Sequence, residues 1–264
     1  MFLALDVGNT NITVGLFNMK GGKVLPVPLK VWRMSTIKGQ TSDEYATMLM
    51  SMFFYSGFDI KKVISIGVAS VVPCLNLVFE NLVKNYFGKE IFFVNHINSG
   101  NIVFAMANYR EVGADRIADA VAAYSMYKSS CLVIDFGTAT TFDCIDGNGR
   151  YMGGAIAPGP AISIQSLNLK TAQLPQVEIK KPLKSIGTAT VDCIQSGLYF
   201  GYVGLVRELI ERMKREMEIK HVIATGGLAD FILGEIKEIE VILPNLTLEG
   251  IRTIWEISSS KYKK

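Results

Sequence analysis

The chain has 264 residues, 49% of them hydrophobic, enough for one large domain or two of ordinary size with a substantial core. Lys and Arg number 27 against 24 Asp and Glu, and the resulting formal charge of +3 is too balanced to make nucleic acid or a membrane the partner. The longest apolar stretch, VISIGVASVV, is far short of a membrane span, and Asp6 interrupts an apolar start that has no basic residue before it, so the expected compartment is the cytoplasm.

In chain order, FLALDVG, NITVGLFN and LKVWRMS are β-rich runs broken by Gly, Asn and Pro, and they predict three consecutive strands. A helix follows in TSDEYATMLMSMFFYSG, where Thr41 and Glu44 have capping-box spacing and Gly57 marks the stop. Then come a buried strand in KVISIGVASVV, a helix in CLNLVFENLVKNYFG and a strand in EIFFVNH. From about Cys131 the order begins again: CLVIDFG, TTFDCID and RYMGGAIAPG predict three strands, and PAISIQSLNLKTAQLP a helix. SGLYFGYVGLVRELIERMKREME predicts a long amphipathic helix with Leu205, Leu209, Met213 and Met217 on one face and charged residues on the others. HVIATGG reads as a buried strand ending in two glycines, followed by helix, strand and a final helix around Trp255. The basic tail SSSKYKK reads as a frayed terminus.

The two halves share a motif. LALDVGNTNIT and LVIDFGTATT each close an apolar strand with Asp-x-Gly before a cluster of Thr and Asn, and Asp6 matches Asp135 at the same offset that matches Gly8 to Gly137. This points to an internal duplication and to two like α/β domains, divided into residues 1–116 and 117–264. Such a turn exposes backbone N–H groups, suits phosphate oxygens, and carries an Asp suited to a hydrated Mg²⁺ or another cation. A single copy reads more simply as a satisfied hairpin turn, whereas two matched copies with ATGG favour phosphate binding from both sides of a cleft.

Neither turn contains Lys or Arg, so the charge of a bound triphosphate must be met by metal ions and oriented amides. The P-loop, the dinucleotide-binding fingerprint and the nucleophile elbow are all absent. Cys74, Cys131, Cys144 and Cys193 form no C-x-x-C pair and read as small buried thiols in a reducing compartment, and His96 and His221 read as structural or solvent-facing.

The set DVGNTN, GADR, DFGTATT, GGAIAPG and ATGG, in this order and over essentially the whole chain, resembles the type III pantothenate kinases of the actin/Hsp70/sugar-kinase superfamily. The resemblance implies two ribonuclease-H-like domains with mixed sheets facing across a nucleotide cleft, and transfer of the γ-phosphate of ATP to pantothenate. It also implies Mg²⁺, a monovalent cation such as K⁺ or NH₄⁺, and a homodimer.

Carried over by position, it makes Asp6, Val7, Gly8, Asn9, Thr10, Asn11, Ile12 and Thr13 the first phosphate turn, with Asp6 holding Mg²⁺ through water. Asp135 would lie at the monovalent-cation site, Thr138 at ATP phosphate, and Gly226 and Gly227 beside adenosine. Tyr109, Gly113, Ala114, Asp115, Arg116 and Thr190 would bind pantothenate. Pro160 departs from the aliphatic residue usual after this Gly, which leaves the entry to the next helix in doubt.

The chemistry of GADR agrees with that assignment: Asp115 can take a proton from or orient an attacking hydroxyl, and Arg116 can hold a carboxylate through two parallel hydrogen bonds. The alternative for Asp115 is a helix N-terminal acid with no catalytic part. Rival functions are another small-molecule kinase of the superfamily, or an ATP-binding regulatory factor that turns over no acceptor. Retention of Asp6, Asp115 and Asp135 favours an enzyme.

Overall fold

The computed structural model describes residues 1–170, 175, 177–178, 180–229 and 234–261. By contacts the chain divides into two units, Met1–Met126 with Asn245–Lys264, and Tyr127–Pro244.

In the first unit, β1 (Phe2–Val7), β2 (Asn11–Lys20) and β3 (Lys23–Ser35) form an antiparallel meander. After α1 (Ser42–Tyr55), β4 (Ser65–Ser70) pairs with β1 in parallel, and after α2 (Asn76–Leu82), β5 (Ile91–Phe93) pairs with β4, giving the order β3-β2-β1-β4-β5. A short β6 (Val103–Phe104) and α3 (Ala114–Tyr127) follow.

The second unit repeats the plan. Strands β7 (Cys131–Phe136), β8 (Ala139–Ile145) and β9 (Arg150–Pro158) make the meander, then come α4 (Pro160–Lys170) and α5 (Thr190–Glu216). Strand β10 (His221–Thr225) pairs in parallel with β7, and β11 (Val241–Ile242) with β10. Its strands therefore run β9-β8-β7-β10-β11, position for position the order of the first unit. The duplication expected from the two Asp-x-Gly turns is a duplication of mixed sheets.

Strand alternation decides what each face of β1 buries. Leu3, Leu5 and Val7 enter a core with Leu49 and Phe53 of α1 and Phe79 and Leu82 of α2. Phe2, on the other face, packs against Trp255 of the final helix, α6 (Leu246–Lys261), with ring centroids 4.9 Å apart. Asp6 has the parity of Phe2, so its carboxylate leaves the strand on the α6 side. Helix α1 starts as its sequence demands: the Thr41 hydroxyl accepts from the Glu44 N–H, and the Glu44 carboxylate accepts from the Thr41 N–H at 2.7 Å. It ends with Gly57 N–H on the Phe54 carbonyl and Phe58 N–H on that of Phe53, a Schellman closure.

Several expectations are corrected. The boundary expected between residues 116 and 117 falls inside α3, and the last twenty residues rejoin the first unit. The cause is helix packing: α6 passes α3 so closely that a Cβ on Gly250 would stand 2.0 Å from the Ala118 carbonyl oxygen.

The helix expected over residues 74–88 is a 3₁₀ turn, α2 and then a π-turn over Val83–Phe87 that closes at Gly88. Helix α5 begins at Thr190, ahead of the expected start, and its buried stripe is Tyr199, Tyr202, Val203, Val206 and Ile210. Leu205, Leu209, Met213 and Met217 pack only along the flank of that core. Of the helix expected over 160–175, residues 171–174 lie outside the described residues, as do 230–233 of the helix after ATGG and 262–264 of the tail.

Candidate active site

The first turn joins β1 to β2. Gly8 N–H donates to the Asn11 carbonyl at 3.0 Å, and Thr36, just past β3, braces it twice: its hydroxyl donates to the Gly8 carbonyl at 2.6 Å and its N–H to that of Thr10 at 2.9 Å. Behind Thr36, the buried Tyr45 hydroxyl accepts from Ile37 N–H at 2.8 Å and donates to the Ile37 carbonyl at 3.0 Å. Asn9, Thr10 and Asn11 are exposed, and Asp6 and Thr13, partners in register, are half-buried. Val7 and Ile12 are core residues, so within the expected binding run their side chains anchor the turn and only their backbone can meet a ligand.

The GADR segment opens α3. Asp115 and Arg116 lie half-buried in its first turn, Ala114 is buried, and the Asp115 carboxylate accepts from Arg116 N–H at 2.7 Å. A Cβ on Gly113 would lie 2.5 Å from that carboxylate and 3.2 Å from the Val71 side chain. Val71 N–H in turn donates to the Val7 carbonyl at 3.1 Å. The GADR turn thus rests on the carboxyl ends of β1 and β4, next to the strand end that bears Asp6. Tyr109 precedes it in a 3₁₀ turn, its ring stacked on Phe104 (5.7 Å between centroids) and edge-on to His96 (5.6 Å).

The second turn joins β7 to β8, with Gly137 N–H on the Ala139 carbonyl at 3.1 Å and Gly159 N–H on that of Thr138 at 3.2 Å. Asp135 is half-buried and Thr138 exposed. Thr225 lies level with Asp135 on β10, and the chain then turns at Gly226 with φ +90°. A Cβ at Gly226 would be 2.3 Å from an Asp135 carboxylate oxygen and 2.6 Å from the Phe136 nitrogen, so both conformation and space require glycine. Leu228 N–H fastens this loop to the Phe136 carbonyl at 3.2 Å, with Gly227 exposed beside it. Thr190 is the exposed first residue of α5. Pro160 occupies the first position of α4, where a missing N–H costs nothing, and Ser163 N–H still reaches the Gly159 carbonyl at 3.1 Å.

Each unit therefore assembles its own share. The first brings together Asp6–Thr13 and Gly113–Arg116; the second brings together Asp135, Thr138, Gly226 and Gly227. Sequence reasoning missed the braces Thr36 and Tyr45, because neither lies in a motif. It also missed the contact of His96 with Tyr109; His221, by contrast, pairs with Glu240 at 2.9 Å.

Among the described residues no group of three or more His, Cys, Asp and Glu could hold a metal ion by itself. Single half-buried carboxylates at strand ends, Asp6 beside exposed Asn9 and Thr10 and Asp135 beside exposed Thr138, suit a hydrated cation whose other ligands are water and phosphate.

The family model for type III pantothenate kinase matches residues 2–212. Type III pantothenate kinase of Endomicrobium trichonymphae is 69% identical over 256 residues, covering 97% of this chain and 99% of that one. That of Geobacter sulfurreducens is 44% identical over 257 residues, covering 97% and 98%. Among solved structures, a conserved Campylobacter jejuni protein described as a Baf family transcriptional activator superposes with a TM-score of 0.60 at 21% identity, over 98% of this chain and 99% of that one. The activator of 2-hydroxyisocaproyl-CoA dehydratase from Clostridium difficile, with bound ADPNP, gives 0.54 at 12% identity over 100% and 97%. These two likenesses show that the chain shares their fold, mixed α/β with two mixed sheets. The family itself follows from the match along most of the sequence: the chain belongs to the type III pantothenate kinases, which phosphorylate pantothenate with ATP in coenzyme A biosynthesis.

Proposed function

We propose that Asp115 and Arg116 carry the acceptor half of this pantothenate phosphorylation and that the two Asp-x-Gly turns carry the ATP half. Arg116 holds the pantothenate carboxylate, with Tyr109, Gly113, Ala114 and Thr190 completing the acceptor site. Asp115 orients the primary hydroxyl and takes its proton as the oxygen bonds to the γ-phosphorus, the bond to the bridging oxygen breaks, and ADP leaves. The N–H groups of Asp6–Thr13 and the Thr138 hydroxyl hold phosphate oxygens, and Gly226 and Gly227 admit adenosine. Mg²⁺, held through water by Asp6, and a monovalent cation at Asp135 supply the positive charge that neither turn contains.

The observation that supports this reading most is the seat of GADR on Val71, whose N–H is bonded to the Val7 carbonyl beside Asp6. That packing seats the half-buried Asp115 carboxylate, with Arg116 next to it in the chain, beside the end of the strand that leads into the first Asp-x-Gly turn. A homodimer in the cytoplasm, without nucleic acid or membrane partners, completes the proposal. No helix among the described residues is long and apolar enough to cross a membrane.

Asp115→Asn tests it: the variant is expected to melt like the parent and to lose kcat by about 10²–10⁴, the usual share of a general base. Turnover near that of the parent would remove Asp115 from the chemistry.

A further inference from the structure

Tyr202 projects from α5 into the core of the second unit and is 7% exposed. Its ring meets Phe136 of β7 edge-on, with centroids 6.2 Å apart, and its hydroxyl shares a hydrogen bond with that of Thr140 on β8, which is 0% exposed. Phe136 and Thr140 are partners in register, the last pair before the chain turns through Gly137, Thr138 and Ala139. One side chain therefore ties together the two strands at the mouth of the second phosphate turn. Asp135 leaves β7 on the opposite face, so Tyr202 offers no atom to a ligand there.

Packing alone does not hold the ring, because a cavity of about 230 Å³ adjoins it, lined in part by Pro158, Pro160, Ile164 and Gly201. The surrounding core of Leu132, Ile134, Phe142 and Val206 is otherwise apolar, and two hydroxyls sunk into it satisfy each other in one geometry only. Burial pushes the phenol up to about 12, the Thr140 hydrogen bond draws it down and the charge of Asp135 adds to the rise. The phenol thus stays neutral, and it is close enough to Asp135 to sense its charge.

We propose that Tyr202 and Thr140 are the positioning pair of the second phosphate turn, setting the strand ends so that Thr138 meets ATP phosphate and Asp135 meets the monovalent cation. This rests on the roles proposed above for Thr138 and Asp135. Both residues act through the backbone of the turn.

The test is steady-state kinetics of the full chain under K⁺, ATP and pantothenate titrations, with melting temperatures, for Tyr202→Phe, Thr140→Val and Thr140→Ser. Loss of either hydroxyl is expected to raise the half-activating K⁺ concentration and the KM for ATP about tenfold, as for other groups that orient a cation ligand, while the KM for pantothenate stays within about twofold. Thr140→Ser should restore both, and the double variant Tyr202→Phe, Thr140→Val should be no worse than either single one, since the two hydroxyls act as a unit. Wild-type K⁺ and ATP dependence in Tyr202→Phe, with only the melting temperature lowered, would overturn the proposal. Asp135→Asn, assayed alongside, separates the layers: unchanged K⁺ dependence there would remove the cation role of Asp135, and the ATP KM of Tyr202→Phe would still decide the positioning role.

Discussion

At the scale of the residue, the site depends as much on what is left out as on what is present. Gly226 is the clearest case, since its φ of +90° and the 2.3 Å that a Cβ would have from the Asp135 carboxylate leave no room for any other residue. Gly226→Ala is therefore expected to push the carboxylate aside and strain the backbone, lowering kcat/KM for ATP by at least about tenfold, the equivalent of about 1.4 kcal/mol and the lower end of the usual cost of such strain. An alanine variant with parental ATP kinetics would show that the loop yields and that the close approach is incidental. The thiols behave as their surroundings dictate: burial pushes Cys131 and Cys144 up to about 12, so both stay protonated and unreactive. Cys74 and Cys193 are exposed, against the expectation of burial, because they lie in the turn before α2 and the first turn of α5 and not in a sheet.

At the scale of the element, what could be read from the sequence was what is written locally. The capping box of α1 and the strand–Asp-x-Gly turns each lie within a few residues, and each formed where expected. The motif residues of the candidate site fall in those same local features, the turns after β1 and β7 and the first turn of α3. The π-turn after α2, the return of α6 to the first sheet and the tertiary hydrogen bonds beside the two Asp-x-Gly turns were not legible in this way. The last two depend on partners distant in sequence: α6 on α3, Thr36 on Gly8, Tyr202 on Thr140. The buried stripe of α5 departs from the expected one because Tyr199 and Tyr202 each carry a polar atom and are less apolar than the leucines and methionines beside them, yet bury their rings.

The β8–β9 hairpin gives a test at this scale. Asp146 closes it, accepting from Asn148 N–H and Arg150 N–H at 2.9 Å each and from the Arg150 guanidinium at 2.6 Å. Burial raises its carboxyl, but the backbone and side-chain hydrogen bonds of Arg150 and that of Asn148 outweigh it and leave the carboxyl below its ordinary value. A carboxyl held low in the folded chain stabilises it above the ordinary carboxylate pKa, and the contribution is lost as pH falls through the folded value. Asp146→Ala should cost about 1 kcal/mol at neutral pH. In thermal melts the gap from the parent should close on acidification; a gap that stays constant would assign the loss to packing.

At the scale of the whole molecule, one plan is used twice and then specialised. Both units place an Asp near the end of the first strand of the meander, the one that also pairs with the parallel strand, so both carry a turn suited to phosphate. They differ in what was added: α3 brings Asp115 and Arg116 to the first, and the loop after β10 brings Gly226 and Gly227 to the second. That division gives the first unit the groups suited to an acceptor and the second those suited to a nucleoside. The most direct test of this account is ADP release from ATP and Mg²⁺ in K⁺ buffer, with and without pantothenate, with the product identified by mass and Asp115→Asn run in parallel. The account predicts pantothenate-dependent ADP, a phosphopantothenate mass, and loss of both in the variant. ADP release indifferent to pantothenate, or undiminished in Asp115→Asn, would contradict it.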